Sequence, residues 1–254
     1  MKQIFSIARY TFIENVRNKV FYIIVLFGVI VIGASLLLGA LGGEQERRIL
    51  LDLGLSAIEF FALITAGFAA VTLVLEEMES KTIYLVLSRP IKKINYLLGR
   101  YTGLLAAVFF GMLVMSAVHV GVLLFKGWSP DLKYIAALFL SAEKIVIISA
   151  VALFLSLFSS SAVSSISFTV FLWILGHFSE EIRFLGNKST FLAGKLFAKT
   201  VYYIVPNLEY FNMRDMYDVP GRLGAWILTS SVYGLIYASA FILLSAFLFE
   251  KKEF

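Results

Sequence analysis

From Val20 to Leu41 the chain runs without a charged residue, far enough as a helix to cross the roughly 30 Å of hydrocarbon in a bilayer. Such a stretch leaves few options. Inside a bilayer there is no water to satisfy backbone N–H and C=O groups, so an isolated apolar run crosses only as a helix that closes its own hydrogen bonds. Five further runs follow: Leu53 to Leu75 with Glu59 inside it, Tyr101 to Phe125 with His119, Tyr134 to Phe158 with Glu143 and Lys144, the short run Ala162 to Phe178, and Gly224 to Phe249. The expected fold is an all-α integral membrane protein with six transmembrane helices in one domain over 1–254. Composition agrees. Hydrophobic residues make up 60% of the chain and charged ones 15%, where soluble domains carry about 25% charged.

Several function classes drop out at this level. The chain has no cysteine and two histidines, His119 and His177, so thiolate metal sites are excluded and a histidine cage is not expected. A net charge of +5 is too small to argue for nucleic acid and fits basic residues bordering anionic headgroups. No phosphate loop exists: Gly186-Asn187-Lys188-Ser189 and Gly194-Lys195-Leu196 both depart from Gly, four residues, Gly-Lys-Ser/Thr. No cofactor is therefore expected on this chain. Residues 1–19 show no cleavable signal pattern. Ile4, Ala8, Phe12 and Val16 recur at four-residue spacing away from Arg9 and Arg17, which predicts a cytoplasmic interfacial helix.

Lys and Arg counts orient the spans. With the N-terminus inside, the inner segments hold eleven and the outer ones ten, which decides nothing. The first span breaks the tie, with four basic residues before it and two after, the latter among Glu44, Glu46 and Asp52. A multi-pass protein of the plasma (inner) membrane with both termini cytoplasmic is expected. Two connections then stand out, an inner one over 76–100 and an outer loop over 179–223. In the outer loop, Ser189 or Thr190 caps an expected interfacial helix that runs to Ile204 and stops before Pro206.

The inner connection is the most informative stretch. It reads Glu76-Glu77-Met78-Glu79-Ser80-Lys81-Thr82, then Ile83 to Leu87, then Ser88-Arg89-Pro90, and ends at Gly99-Arg100. Apolar Ile83, Leu85 and Leu87 between charges of both signs suit a docking surface, and equally a solvated loop. Pro90 ends any helix arriving from Thr82 and pushes Arg89 out of the helical region. The pattern at Glu77, Glu79, Lys81, Thr82, Leu85, Leu87, Ser88, Pro90, Gly99, Arg100 and Gly103 resembles the cytoplasmic loop of ABC type-2 transporter permeases. The six-span plan, the basic N-terminal helix and Pro206-Asn207-Leu208 are similar too, and within the family the likeness is to small permeases such as those serving nitrous-oxide-reductase maturation. The resemblance implies a permease of an exporter, working as a homodimer or pseudo-dimer. Its cytosolic ABC ATPase subunits hold ATP and Mg and dock on Glu77, Glu79, Lys81, Thr82, Leu85, Leu87, Arg89 and Pro90. Lipids and an extracytoplasmic partner are further expected contacts.

Glu59, His119, Glu143 and Lys144 all fall in the outer half of the membrane by helix rise. Ionisable groups there face a bundle interior or a cavity, so they are candidates for a polar translocation path, or Glu143 and Lys144 form a structural pair. Gly99, Gly103, Ala107 and Gly111, and Ala62, Ala66 and Ala70, repeat at four-residue spacing and predict close helix packing. Two rival functions remain. A secondary transporter calls for broken helices at mid-membrane. A membrane-embedded protease calls for its polar groups at one depth, whereas Glu76 and Glu77 lie at the opposite end of the bundle from His119.

Overall fold

The computed structural model describes residues 2–79, 91–159, 161–213 and 223–251 (for 72–79 the helical backbone alone). Within them the helices are α1 (Lys2–Arg17), α2 (Lys19–Leu41), α3 (Glu46–Glu79), α4 (Lys93–Phe125), α5 (Leu132–Phe158), α6 (Ala162–His177), α7 (Ser179–Lys188), α8 (Leu192–Ile204) and α9 (Leu223–Lys251), with single 3₁₀ turns at Gly43–Gln45 and Glu209–Phe211. Five helices, α2, α3, α4, α5 and α9, are long and apolar enough to cross a membrane. α6 and α7 meet that test only when taken together, across a bend of 66°. The chain has the make-up of a multi-pass, all-α membrane protein.

Several helices reach past their apolar runs. α3 contains the expected 53–75 span but begins at Glu46 and continues to Glu79, 34 residues in all, or about 51 Å. Its polar first turns are held by an Arg48–Asp52 contact at 3.8 Å and by Lys126, just past α4, whose Nζ lies 2.6 Å from Glu46 Oε1. α4 begins at Lys93, so much of the expected 76–100 connection is helix, because charges at a membrane surface do not stop helix growth. Lys81, Thr82, Leu85, Leu87, Arg89 and Pro90 lie outside the described residues, as do the side chains of Glu77 and Glu79.

Local chemistry explains the joints. Asn18 links α1 directly to α2 and caps it, its side chain accepting from Val20 N at 2.9 Å. α4 ends in a double-bonded cap. Trp128 N donates to Leu123 O at 3.0 Å and Gly127 N to Leu124 O at 2.9 Å, with Gly127 at φ +77°, a conformation that suits glycine. Asp131 then caps α5 by accepting from Tyr134 N.

The centre is α3 and α5. In each, 61% of the apolar window is buried, against 28% for α2 and 22% for α9. Ala62, Ala66 and Ala70 are buried in the core, so the small-residue row of α3 packs inside the chain. On α4, side chains at Gly99 and Gly103 would collide with Ile7, Ala8 and Thr11 of α1, and one at Gly111 would crowd Phe21 and Val25 of α2. That row also packs within the chain. The periphery is apolar: Leu26, Phe27 and Ile30 of α2, and Leu235, Ile236 and Leu243 of α9, are all exposed. A belt of this kind is suited to lipid and not to water.

The outer loop holds more order than its sequence suggests. α7 accounts for 179–188, where a loop is expected, and α8 starts at Leu192, with Ser189 Oγ accepting from Phe191 N just before it. α8 buries Ala198 against Gly186 of α7 and leaves Leu196, Phe197, Tyr203 and Ile204 exposed, with exposed Lys195 and Lys199.

Candidate functional site

Of the four intramembrane candidates, the structure brings two together. Glu59 lies thirteen residues into α3 and Lys144 twelve into α5, about 18 to 20 Å from the starts of their helices. Lys144 Nζ sits 3.0 Å from Glu59 Oε1 and 3.2 Å from Oε2, and both side chains are almost wholly buried, 1% and 3% exposed. Ser141 Oγ donates to Glu59 Oε2 at 3.2 Å. A buried charge is tolerated when paired and hydrogen-bonded, and these contacts meet that condition.

A third member was not among the candidates. His177 closes α6, and its Nε2 lies 3.2 Å from Glu59 Oε1 and 3.2 Å from Lys144 Nζ. Its Nδ1 lies 3.0 Å from Trp173 O, one turn back. This assigns Nδ1–H as donor to the carbonyl, because a carbonyl oxygen only accepts. Neutral, the ring accepts a hydrogen bond at Nε2 from Lys144; protonated, it donates from Nε2 to Glu59. One carboxylate, one ammonium and one imidazole therefore share a single network in which Nε2 has a partner in either state, Lys144 when neutral and Glu59 when protonated.

The helix break explains why these groups meet. α6 is sixteen residues long, about 24 Å, and ends with His177 level with Glu59 and Lys144. The chain turns by 66° into α7. Ser179 Oγ donates to Gly176 O at 3.0 Å, and Leu208 N donates to the same carbonyl at 3.0 Å. Gly176 is needed there, since a Cβ would meet Pro206 O at 2.7 Å. The strap around Pro206 to Phe211 thus covers the break and satisfies its carbonyls. Irregular backbone at membrane depth is tolerated where it is buried in protein or lines a cavity.

A cavity of about 350 Å³ adjoins the network, lined also by Ser56, Phe60, Trp173 and Asn212. Phe60 and Trp173 rings stand 6.4 Å apart, and Trp173 and His177 rings 4.6 Å apart. A pocket between α1, α2 and α3, around Asn15, Asn18 and Thr65, holds about 40 Å³ and has no charged wall. That is room for water and little else.

The other two candidates go elsewhere. His119 is fully buried, with Nε2 3.2 Å from Leu50 O and Nδ1 3.0 Å from the Tyr134 hydroxyl. Nε2–H donates to the carbonyl and the tyrosine O–H donates to Nδ1, so both ring nitrogens are used. The ring lies against Gly54, where any Cβ would overlap it. His119 is a clamp joining α3, α4 and α5. Glu143 does not pair with Lys144, contrary to the second sequence reading. Successive helical residues point about 100° apart, so Glu143 turns toward Ser231 of α9 while Lys144 turns toward α3.

At the opposite end, Arg100 is the buried charge. Its Nη1 lies 2.6 Å from Glu14 Oε2 and 3.2 Å from Thr11 Oγ1, and its Nε lies 3.2 Å from Tyr96 OH. The guanidinium also sits over the Tyr10 and Tyr96 rings at 5.6 Å each. Nearby, Tyr96 stacks on Phe249, and Lys93 Nζ donates to Glu250 O at 3.1 Å. The first turns of α4 thus hold both α1 and the end of α9. No protein-family model and no curated protein matches the chain.

Proposed function

We propose that this chain is the transmembrane permease subunit of an ATP-binding-cassette exporter of the type-2 kind. It works as a dimer in the plasma membrane, with both termini cytoplasmic. ATP and Mg belong to a separate cytosolic ATPase subunit, which docks on the 76–93 stretch through Glu77, Glu79, Thr82, Leu85 and their neighbours. The observation that carries this reading is the role of Gly99, Arg100 and Gly103, three positions of the resemblance. They form one seat for α1: the glycines admit its backbone, and Arg100 between them pairs with Glu14. A force applied to the α3–α4 connection would reach α4, α1 and the end of α9 as a unit. This arrangement supports a coupling role for that end of the bundle.

The test uses the absence of native cysteine. Cysteines introduced at Thr82 or Leu85 should crosslink to the cytosolic ATPase subunit, and cysteines in α8 should not. Glu79→Lys should weaken ATPase binding at least tenfold, since a docked charge that loses its partner costs ~2–5 kcal/mol. Crosslinking from α8 with none from Thr82 would reverse the topology and end the reading.

A secondary transporter is the second reading, favoured by the 66° break of α6 and α7 beside a buried ionisable network, the feature such transporters use for substrate. Uptake into vesicles holding this chain alone, driven by an ion gradient and indifferent to ATP, would select it.

A further inference from the structure

We propose that the cavity at the α6–α7 break binds an anionic oxygen group, a carboxylate or a phosphate, with the Trp173 indole N–H and the Lys144 ammonium as its principal donors and His177 beside them. This goes beyond the permease reading, which names no ligand, and it rests on the cavity rather than on the ATPase contact.

The argument starts from a donor without an acceptor. Trp173 Nε1 is buried and has no hydrogen-bond partner among the described residues. Buried tryptophan N–H groups usually find one, and an unmade bond there is costly. Trp173 also lines the cavity, so a ligand there can supply the missing acceptor once the indole turns its N–H toward it. Glu59 tells against a cation. It is the carboxylate of the cavity wall, and Lys144, Ser141 and His177 already surround its oxygens at 3.0 to 3.2 Å. An incoming amine would meet an ammonium and an imidazole before any unshared oxygen. An incoming carboxylate or phosphate would meet donors. It could draw on Lys144 by taking over the N–H that faces His177, while Lys144 and Ser141 continue to hold Glu59. The rings of Phe60 and Trp173 supply an apolar flank, and about 350 Å³ admits a small organic acid.

The measurement reads the indole directly. The chain has three tryptophans, Trp128, Trp173 and Trp226, so ¹⁵N-indole labelling in dodecyl maltoside gives three signals, with Trp173 assigned by Trp173→Phe. Benzoate and inorganic phosphate are titrated as anionic probes, and benzylamine as a cation of benzoate's size. The Trp173 signal should move saturably with benzoate or phosphate and not with benzylamine. By calorimetry, Trp173→Phe should bind the effective anion about tenfold more weakly. Lys144→Met alone risks the fold, so Glu59→Gln with Lys144→Met, which keeps the site neutral overall, is the companion variant and should lose saturable binding. In nanodiscs of phosphatidylglycerol, a Trp173 shift before any soluble anion is added identifies a lipid phosphate. A shift that needs benzoate or phosphate identifies a soluble one. A saturable shift with benzylamine, no shift with any anion in detergent or lipid, or full affinity in the double variant would overturn the proposal. The chain is measured without an ATPase, so a failed crosslink at Thr82 leaves this result standing.

Discussion

His119 and His177 both sit among the apolar helices, the first wholly buried and the second 22% exposed, and they do opposite things. Around His119, two helices supply a carbonyl and a hydroxyl, Gly54 gives up its side chain to seat the ring, and nothing is left over. Around His177, a helix stops early, the ring shares its Nε2 between an acid and a base, and a cavity opens beside it. Buried polarity becomes a site where hydrogen-bonding capacity and space both remain. Residue type does not distinguish the two.

The comparison can be broken most forcefully at Lys144. Lys144→Met leaves Glu59 buried without its counter-charge, which typically costs about 3–5 kcal/mol. The melting temperature in detergent should fall by on the order of 10 °C. Glu59→Gln added to it should restore most of that. If the single variant melts like the parent, the pair is not what holds α3 to α5.

On the other side, His119→Leu strands the Tyr134 hydroxyl, at a cost of about 2–3 kcal/mol, and should leave anion binding at Trp173 unchanged. An effect on binding larger than on stability would erase the contrast between the histidines. Gly54→Ala sharpens it further. Inside a helix, alanine usually gains up to about 1 kcal/mol over glycine, but here its methyl meets the His119 ring and should cost about 1–3 kcal/mol. The sign should reverse in a His119→Ala background, and a double-mutant cycle that shows simple additivity would count against the seat. The smallest expected effect on stability is His177→Gln, under about 1 kcal/mol, because Lys144 and Ser141 still hold Glu59. Its signature should be altered ligand affinity with a nearly unchanged melt.

Much of this architecture can be read from the chain. Long apolar runs such as Val20–Leu41 can only be helices in a bilayer, and the small-residue row from Gly99 to Gly111 announces close packing. The sequence does not announce which surfaces those rows meet, nor the break after His177. Ala162–Phe178 reads as one short upright span, because nothing in its composition reports that Gly176 O will be taken by Leu208 N from thirty-two residues later. With the break hidden, His177 reads as a surface residue and its network is missed. The same gap misled the reading of Glu143. Its depth follows from helix rise, but its direction depends on which neighbour α5 turns toward it. A histidine closing an unusually short apolar run was the available signal for His177.

The seating of α1 on α4 also sets an order of events during synthesis. Thr11 and Arg100 touch across 89 residues of sequence. At roughly 5–20 residues per second, the ribosome delivers the seat about 4 to 18 s after the helix that will fill it. Through that interval the apolar side of α1, with Ile4, Ile7 and Phe12, has no protein to lie on. Gly99, Arg100 and Gly103 give it that seat only once α4 has been made.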